Sequence, residues 1–239
     1  MNKIRLDRLL VSQGLVTTRS QAEDLVKRGF VSANDVVVSK PGIFLDTTTK
    51  LHIDKHEGFV SRAGEKLNSV VDVFKLDFKN KLVLDVGSST GGFTELALRR
   101  GAKKVIAVEL GTDQMHPSLR DDPRIELHEK TDIRDFKNDE SIDIVVIDVS
   151  FVSLREILPS VSRLSKSGTV IVAMVKPQFE AITSGLKHKG VIKNDHMRRE
   201  ILKEFENWCR LNFVIEAKAD SKVAGAKGNV ERFYLLHKK

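Results

Sequence analysis

The stretch KLVLDVGSSTGGFT, residues 81–94, decides the fold of this chain. Its apolar run, residues 82–86, predicts a short strand buried on both faces, with Asp85 near its end. A glycine-rich turn follows over residues 87–92, and residues 93–100 have the pattern of a helix. Glycines let main-chain N–H groups approach a ligand closely, and a helix N-terminus adds positive potential. The stretch therefore predicts a strand–turn–helix cradle for a ligand.

The spacing of the glycines narrows the choice of ligand. Dinucleotide sites use Gly-x-Gly-x-x-Gly, whereas here Ser89 occupies the place of the second glycine. The lysine of a phosphate-binding loop is also missing, because Phe93 follows Gly92. The pattern Asp-x-Gly-x-x-x-Gly-Gly resembles the first motif of S-adenosylmethionine methyltransferases. It predicts cofactor contacts from these residues: Asp85, Gly87, Ser88, Gly91, Gly92 and Phe93. A turn that only connects a strand to a helix is the alternative.

Outward from this stretch, predicted strands alternate with helices, which implies an α/β fold with a mainly parallel sheet covered on both faces. The predicted strands span residues 105–110, 125–129, 142–149, 169–175, 213–217 and 230–236, and a long helix spans 197–211. Polar residues end several strands, and ligands bind at the carboxyl ends of such sheets. Glu109 ends the second strand and suits ribose hydroxyls, and Asp132 is placed to bind an adenine amino group. Asp148 and Lys176 end the fourth and fifth strands.

The first 57 residues differ in character. A capping box, Thr18 with Gln21, opens a predicted helix, and a hairpin with a turn at Asn34 and Asp35 follows. Residues 5–7, 18–22 and 27–31 resemble the RNA-binding domain of bacterial ribosomal protein small-subunit four. Five cations are predicted to meet phosphates, with a merely solvated face as the alternative: Arg5, Arg8, Arg19, Lys27 and Arg28.

Over essentially its whole length the chain resembles the TlyA family, the hemolysin-A-like ribosomal RNA methyltransferases. The matching motifs span residues 60–62, 85–94, 148–151, 175–180, 189–191 and 228–231. The resemblance implies two domains. A small α+β RNA-binding domain, 1–57, would precede a Rossmann-like methyltransferase domain, 58–239, whose last strand is antiparallel. It also implies S-adenosylmethionine as cofactor, and ribosomal RNA or ribosomal subunits as partner.

The catalytic half resembles the heat-shock RNA 2′-O-methyltransferases, which use a Lys-Asp-Lys-Glu tetrad. The matching positions are Lys66, Asp148, Lys176 and Glu231. The resemblance implies that Lys176 is the base for a ribose 2′-hydroxyl and that Glu231 orients Lys66 or the ribose. On its local pattern alone Lys66, the predicted start of a helix, would be a solvated surface lysine. Glu109 and Asp132 replace the usual Asp and Asn of the family, and the role of Arg232 is open.

Composition and missing motifs limit other functions. The chain has 239 residues and a net charge of +7, which favours an anionic partner. Its one cysteine, Cys209, predicts an inert core thiol, no disulfide and no metal site. Methylation of base amino groups usually shows prolines that residues 148–151 lack. Methylation at carbon 5 needs a nucleophilic cysteine, and Cys209 lies in a late predicted helix.

Two competing functions remain at this stage: a membrane-active hemolysin and a non-catalytic RNA-binding assembly factor. The longest apolar run, residues 169–175, is far short of the roughly 20 residues that span a bilayer. With a charged opening segment, this favours a cytoplasmic protein without stable membrane insertion. Residues 177–194 are predicted as a long loop that is mobile without RNA and closes over the target nucleotide.

Overall fold

Two units, Met1–Gly58 and Phe59–Lys239, fold around separate hydrophobic cores. The computed structural model describes residues 3–16, 18–53, 58–183, 191–192, 194–225 and 228–239.

The first unit packs two helices against short strands. Its elements are β1 (Lys3–Arg5), α1 (Leu6–Ser12), α2 (Arg19–Lys27), β2 (Val31–Ala33), β3 (Val36–Val37), β4 (Phe44–Asp46) and β5 (Leu51–Ile53). The Thr18 hydroxyl accepts the Gln21 N–H at 3.2 Å, and Asn34 and Asp35 have φ angles of 49° and 65°, so the predicted cap and hairpin turn are confirmed. The first helix begins only at Leu6, because the residues before it form a strand in which Ile4 pairs with Leu45.

The second unit alternates strands and helices as predicted. Its elements are α3 (Arg62–Val71), β6 (Leu82–Val86), α4 (Gly92–Arg99), β7 (Lys104–Val108), α5 (Pro117–Arg120), β8 (Ile125–His128), β9 (Ile144–Ile147), α6 (Leu154–Leu164), β10 (Val170–Val175), α7 (Pro177–Thr183), α8 (Asp195–Cys209), β11 (Phe213–Asp220) and β12 (Arg232–Lys238). They form one seven-stranded sheet in the order β11-β12-β10-β9-β6-β7-β8.

The direction of the strands confirms the predicted fold class. β6 to β10 pair in parallel, whereas β12 runs antiparallel to β10 with Arg232 opposite Val175. Alternate residues of the central strands face opposite sides of the sheet. Leu84 therefore packs in one core layer, with Phe205, and Val83 packs in the other, with Leu67. The carboxyl ends of five parallel strands and the start of β12 meet at one edge.

Two predicted elements need correction. α3 begins at Arg62, so Lys66 lies inside the helix instead of starting it. The predicted loop over residues 177–194 begins as a helix, α7, because the fixed φ of Pro177 suits a first helical position. Residues 184–190 and 193 of that predicted loop lie outside the described residues. The predicted closure of the loop over RNA concerns these residues as well.

The structure also shows the surroundings of Cys209 and Arg232. Cys209 is buried, and burial raises the pKa of its thiol to about 12, as expected of an inert core thiol. Arg232 donates two hydrogen bonds to Asp220 across the β11–β12 pair, at 2.7 and 3.1 Å, which gives this residue a structural role.

Candidate active site

The glycine turn brings three strand ends together. Gly87 has a φ of +80°, and a Cβ there would lie 2.8 Å from the carbonyl oxygen of Asp148. Its N–H donates to the Val108 carbonyl at 2.9 Å. Only glycine combines this backbone conformation with so close an approach. The ends of β6, β7 and β9 therefore converge on the turn.

A cavity of about 830 Å³ opens beside this turn, at the carboxyl ends of β6 to β9. Four of the predicted site residues line it: Gly87, Glu109, Asp132 and Asp148. Further lining residues that the sequence did not single out include Ser89, Leu110, Gln114, Arg134, Ser150 and Phe151. Its size is within the range of small-molecule and cofactor sites.

Main-chain groups hold Glu109 in place at the cavity wall. Its Oε2 accepts the N–H of Ser89 at 2.9 Å, and its Oε1 accepts the N–H of Gly111 at 2.7 Å. An ionised carboxylate has about four acceptor positions, so capacity remains for a ligand. Asp132 instead forms a bidentate ion pair with Arg134, which lowers the pKa of Asp132.

Five of the predicted cofactor residues do not line this cavity: Asp85, Ser88, Gly91, Gly92 and Phe93. Asp85 is fully buried within β6, and its Oδ2 accepts the Thr94 hydroxyl at 2.6 Å. Burial raises the pKa of Asp85 to about 7, the Thr94 bond opposes this, and the charge of Asp148 adds to it. Phe93 packs in the core against Phe233, with ring centroids 6.2 Å apart. These two residues hold α4 against the sheet.

The other three predicted cofactor residues outside the cavity, Ser88, Gly91 and Gly92, surround the start of α4. A Cβ on Gly91 would meet Met115, and a Cβ on Gly92 would meet Ser61, so both glycines permit close packing behind the turn. Ser88 is 5 % exposed, and its Oγ has no hydrogen-bond partner among the described residues.

The predicted tetrad forms two ion pairs at the same sheet edge. Lys176 Nζ lies 2.6 Å from Asp148 Oδ1, and Lys66 Nζ donates to Glu231 Oε1 at 3.0 Å. Because Val175 is opposite Arg232, Lys176 and Glu231 occupy neighbouring positions at the ends of β10 and β12. Lys66 is 9 % exposed and Glu231 3 %, so the local expectation of a solvated Lys66 is wrong.

Several buried polar atoms around this edge have no hydrogen-bond partner among the described residues: Ser61 Oγ, Asp85 Oδ1, Ser88 Oγ, Gln178 Oε1 and Glu231 Oε2. Such atoms are rare in proteins, because each costs about 1–3 kcal/mol. Their concentration beside the cavity and the ion pairs is typical of a site that binds polar ligands.

Phe151 is the most exposed of the site residues that sequence reasoning left without a role. Its side chain is 86 % exposed, and its φ of 65° is uncommon for a residue other than glycine. Its ring lies 5.2 Å from that of Phe179, and the Phe179 ring lies 5.8 Å from Lys176 Nζ. A phenylalanine within a few residues of a buried strand end was the signal that could have found it.

The predicted RNA-binding cations fall into separate groups. Arg5 and Arg19 both bind the buried carboxylate of Asp7, at 2.7 and 2.8 Å. The hydrogen bond from Arg5 and that from Arg19 hold the pKa of Asp7 well below its usual value, against the effect of burial. Lys27 and Arg28, at the other end of α2, form ion pairs with Glu23 and Asp24 at 3.2 Å each, and Arg8 is exposed on α1.

Among the residues that the structure describes, no helix combines the length and apolar character needed to cross a bilayer. Within the same residues, no three or more His, Cys, Asp or Glu side chains are grouped as a metal site requires.

Comparisons with known proteins assign both parts of the chain to known families. The FtsJ-like methyltransferase model matches residues 59–239, and the S4 domain model matches residues 4–49. The 16S/23S rRNA (cytidine-2′-O)-methyltransferase TlyA of Mycobacterium tuberculosis is 35 % identical, over 98 % of this chain and 90 % of its own. Hemolysin A of Brachyspira hyodysenteriae is 36 % identical, over 98 % and 99 %. A solved structure from Streptococcus thermophilus, provisionally described as a hemolysin, superposes with a TM-score of 0.77 at 34 % identity, covering 100 % of this chain and 90 % of that one. The chain thus belongs to the FtsJ-like methyltransferase family, with an S4 domain ahead of its methyltransferase domain.

Proposed function

We propose that this protein transfers a methyl group from S-adenosylmethionine to a ribose 2′-hydroxyl of ribosomal RNA. The observation that carries the proposal is the pair of lysine–carboxylate contacts beside the cavity, 2.6 Å for Lys176–Asp148 and 3.0 Å for Lys66–Glu231. The relative from Mycobacterium tuberculosis is named for cytidine, so cytidine is the first target to test.

Residues of the cavity fit the cofactor. The turn at Gly87 lines the cavity, and Glu109 keeps acceptor positions for ribose hydroxyls. Asp132 would accept the adenine amino group. The acidic lining also complements a cation, and the bound cofactor supplies a methyl group on a positively charged sulfur.

Lys176 would act as the general base. A ribose hydroxyl is a poor nucleophile and must lose its proton as the new bond to carbon forms. The Lys176 amine would take that proton, and the carboxylate of Asp148, 2.6 Å away, would stabilise the ammonium that results. Lys66 and Glu231 would hold the hydroxyl in line from the neighbouring strand end. A well-placed general base is typically worth about 10²–10⁴-fold in rate.

The exposed ring of Phe151 would support the target base. Sequence-specific proteins usually bind RNA bases that are unstacked and splayed out, and stack them on aromatic side chains. Phe151 lines the cavity and contacts Phe179, which in turn lies near Lys176, so a base stacked there would bring its ribose toward the amine.

Residues 1–57 would supply affinity for RNA without chemistry. The Arg5 and Arg19 guanidinium groups share Asp7, which fixes both of them while leaving further N–H donors for phosphates. Phosphate contacts release counterions, so this domain would make RNA binding dependent on salt.

The test is transfer of a labelled methyl group from S-adenosylmethionine to ribosomal subunits from a strain that lacks the protein. We expect label in ribosomal RNA, recovered after digestion as a 2′-O-methyl nucleoside identified by mass. Label on a base would overturn the proposed chemistry. If neither intact subunits nor free ribosomal RNA is labelled, the proposed methyl transfer fails. The alternative, an RNA-binding assembly factor without catalytic activity, is then favoured.

A further inference from the structure

The direction of the Lys176 amine is set by a residue outside the tetrad. Nζ donates a hydrogen bond to the Ser150 hydroxyl at 2.8 Å. Asp148 Oδ1 is even closer, at 2.6 Å, but that contact is an ion pair without hydrogen-bond alignment. Asp148 therefore fixes where the nitrogen lies, and Ser150 fixes how it is rotated.

Rotation matters because a base acts through one lone pair. A neutral amine has two N–H bonds and a lone pair in roughly tetrahedral directions, and the Cε–Nζ bond has three staggered positions. With one N–H directed to Ser150, rotation about the Cε–Nζ bond is fixed, and the lone pair must take one of the two remaining staggered directions. Proton transfer depends on such alignment, since small errors in position cost a large part of the rate.

The chain segments that carry Ser150 and Lys176 are held together by further hydrogen bonds. Ser150 lies between the end of β9 and Ser153, whose hydroxyl donates to Glu180 at 2.6 Å. Glu180, 1 % exposed on α7, also accepts the Leu154 N–H at 2.7 Å. Glu180 thus ties the helix that follows Lys176 to the segment that follows Ser150. The distance between the amine and the hydroxyl is held by the fold as well as by the bond itself.

We propose that Ser150 is a positioning residue for methyl transfer, orienting the Lys176 amine toward the ribose hydroxyl. This inference rests on the proposed function, in which Lys176 is the base. Ser150 is exposed at the cavity wall, so its hydroxyl reaches Lys176 from the side that a substrate would approach.

The experiment compares Ser150→Ala and Ser150→Thr with the wild type, using ribosomal subunits and labelled S-adenosylmethionine. Ser141→Ala is the matched control, because the Ser141 hydroxyl also accepts a hydrogen bond from a lysine, Lys166, ahead of β9. We expect Ser150→Ala to lower kcat about tenfold, while Ser150→Thr restores most of it, because threonine keeps the hydroxyl. Cofactor Kd, KM for RNA and thermal unfolding should stay near wild type in all variants.

Three results would overturn the inference: an unchanged or higher kcat for Ser150→Ala, no rescue by Ser150→Thr, or a loss explained by cofactor Kd or by unfolding. Ser150→Ala added to Lys176→Ala should slow single-turnover transfer less than twofold further. A further tenfold loss, including a fall below detection, would mean that Ser150 acts on the substrate itself. If the wild type methylates no ribose, the proposed function fails first. If the wild type is active and Ser150→Ala matches it, only this inference fails.

Discussion

The two halves of the sheet's carboxyl edge hold their acids in different ways. On the proposed cofactor half, at the ends of β6, β7 and β8, main-chain N–H groups hold Glu109 and an arginine holds Asp132. On the proposed catalytic half, at the ends of β9 and β10 and the start of β12, lysines pair with Asp148 and Glu231. A lysine amine can donate or accept a proton, whereas carboxylates held by main-chain N–H groups or by an arginine accept hydrogen bonds from hydroxyls and attract cations.

This difference suggests that binding and proton transfer are divided along the edge. Variants of Lys66, Lys176 and Glu231, which do not line the cavity, should then change kcat or folding stability and leave cofactor affinity alone. Variants of the cofactor half should do the reverse.

Lys176→Ala should have the largest effect. We expect kcat to fall by about 10²–10⁴-fold because the proposed general base is lost. Cofactor Kd, measured by calorimetric titration, should stay near wild type. The control is Lys166→Ala, an exposed lysine that precedes β10, which should behave as wild type. A tenfold weaker cofactor affinity in Lys176→Ala would contradict the division of the edge.

Glu231→Gln tests the buried pair of the catalytic half. The Lys66 ammonium would stay buried without its carboxylate, and breaking a buried pair in this way typically costs about 3–5 kcal/mol of unfolding free energy. Urea denaturation measures this loss. The double variant Lys66→Met with Glu231→Gln should recover much of it, since no unpaired charge remains. Glu216→Gln, whose pair with His237 is exposed, should cost little. A small loss for Glu231→Gln would mean that the pair is well solvated.

Much of this division could be predicted from the sequence, because part of it is local. Asp148 and Lys176 each follow an apolar run, and the carboxyl ends of parallel strands share an edge, so the strand pattern was enough to bring them together. The Lys66–Glu231 pair joins residues 165 positions apart. No local pattern indicates it, and only the family resemblance pointed to these residues.

The sequence was least informative where side-chain direction decides the outcome. Asp85 and Phe93 lie in the quoted stretch, but Asp85 binds Thr94 on α4 and Phe93 packs from α4 into the core, so neither lines the cavity. α7 was missed because the glycines and lysines later in residues 177–194 outweighed the helix-starting Pro177. Ser150 and Phe151 were quoted within a motif, but their roles depend on Lys176 and Phe179, which come from the next strand end.

Asp85→Asn tests the buried acid of β6, which lies in the cofactor half of the edge but does not line the cavity. The pKa of Asp85 is about 7, against an ordinary value of 3.8, so the folded state holds a proton that the unfolded chain releases. Stability should therefore fall as pH rises from about 4 to 7 and then level off. The difference is at most about 4 kcal/mol, from 1.36 kcal/mol per pKa unit. Urea unfolding of the cofactor-free protein at several pH values measures it.

The expected result is that the advantage of wild type over Asp85→Asn shrinks between pH 4 and 7. Asp132→Asn provides a control of opposite sign. The hydrogen bond from Arg134 lowers the pKa of Asp132, so its contribution is present above about pH 4 and is lost as pH falls. Equal pH dependence in the wild type and Asp85→Asn would show that the Asp85 carboxyl is ionised in the folded protein.

Glu109→Gln should have the smallest effect, confined to cofactor binding. A glutamine has one acceptor oxygen, so it can keep only one of the bonds from Ser89 and Gly111 and turns an N–H₂ group toward the other. We expect cofactor affinity to fall about tenfold, within the range for hydrogen bonds to charged groups, while kcat at saturation is unchanged.

Titration with S-adenosylmethionine and with its demethylated product separates two possible causes of the affinity loss in Glu109→Gln. The product has the same ribose but no positive charge on sulfur. If Glu109 binds the ribose hydroxyls, both ligands lose affinity equally. If it acts by attracting the cation, only S-adenosylmethionine does. Glu140→Gln, half exposed beside Lys104, should bind both as the wild type does. A lower kcat in Glu109→Gln with unchanged affinity would place proton transfer on both halves of the edge.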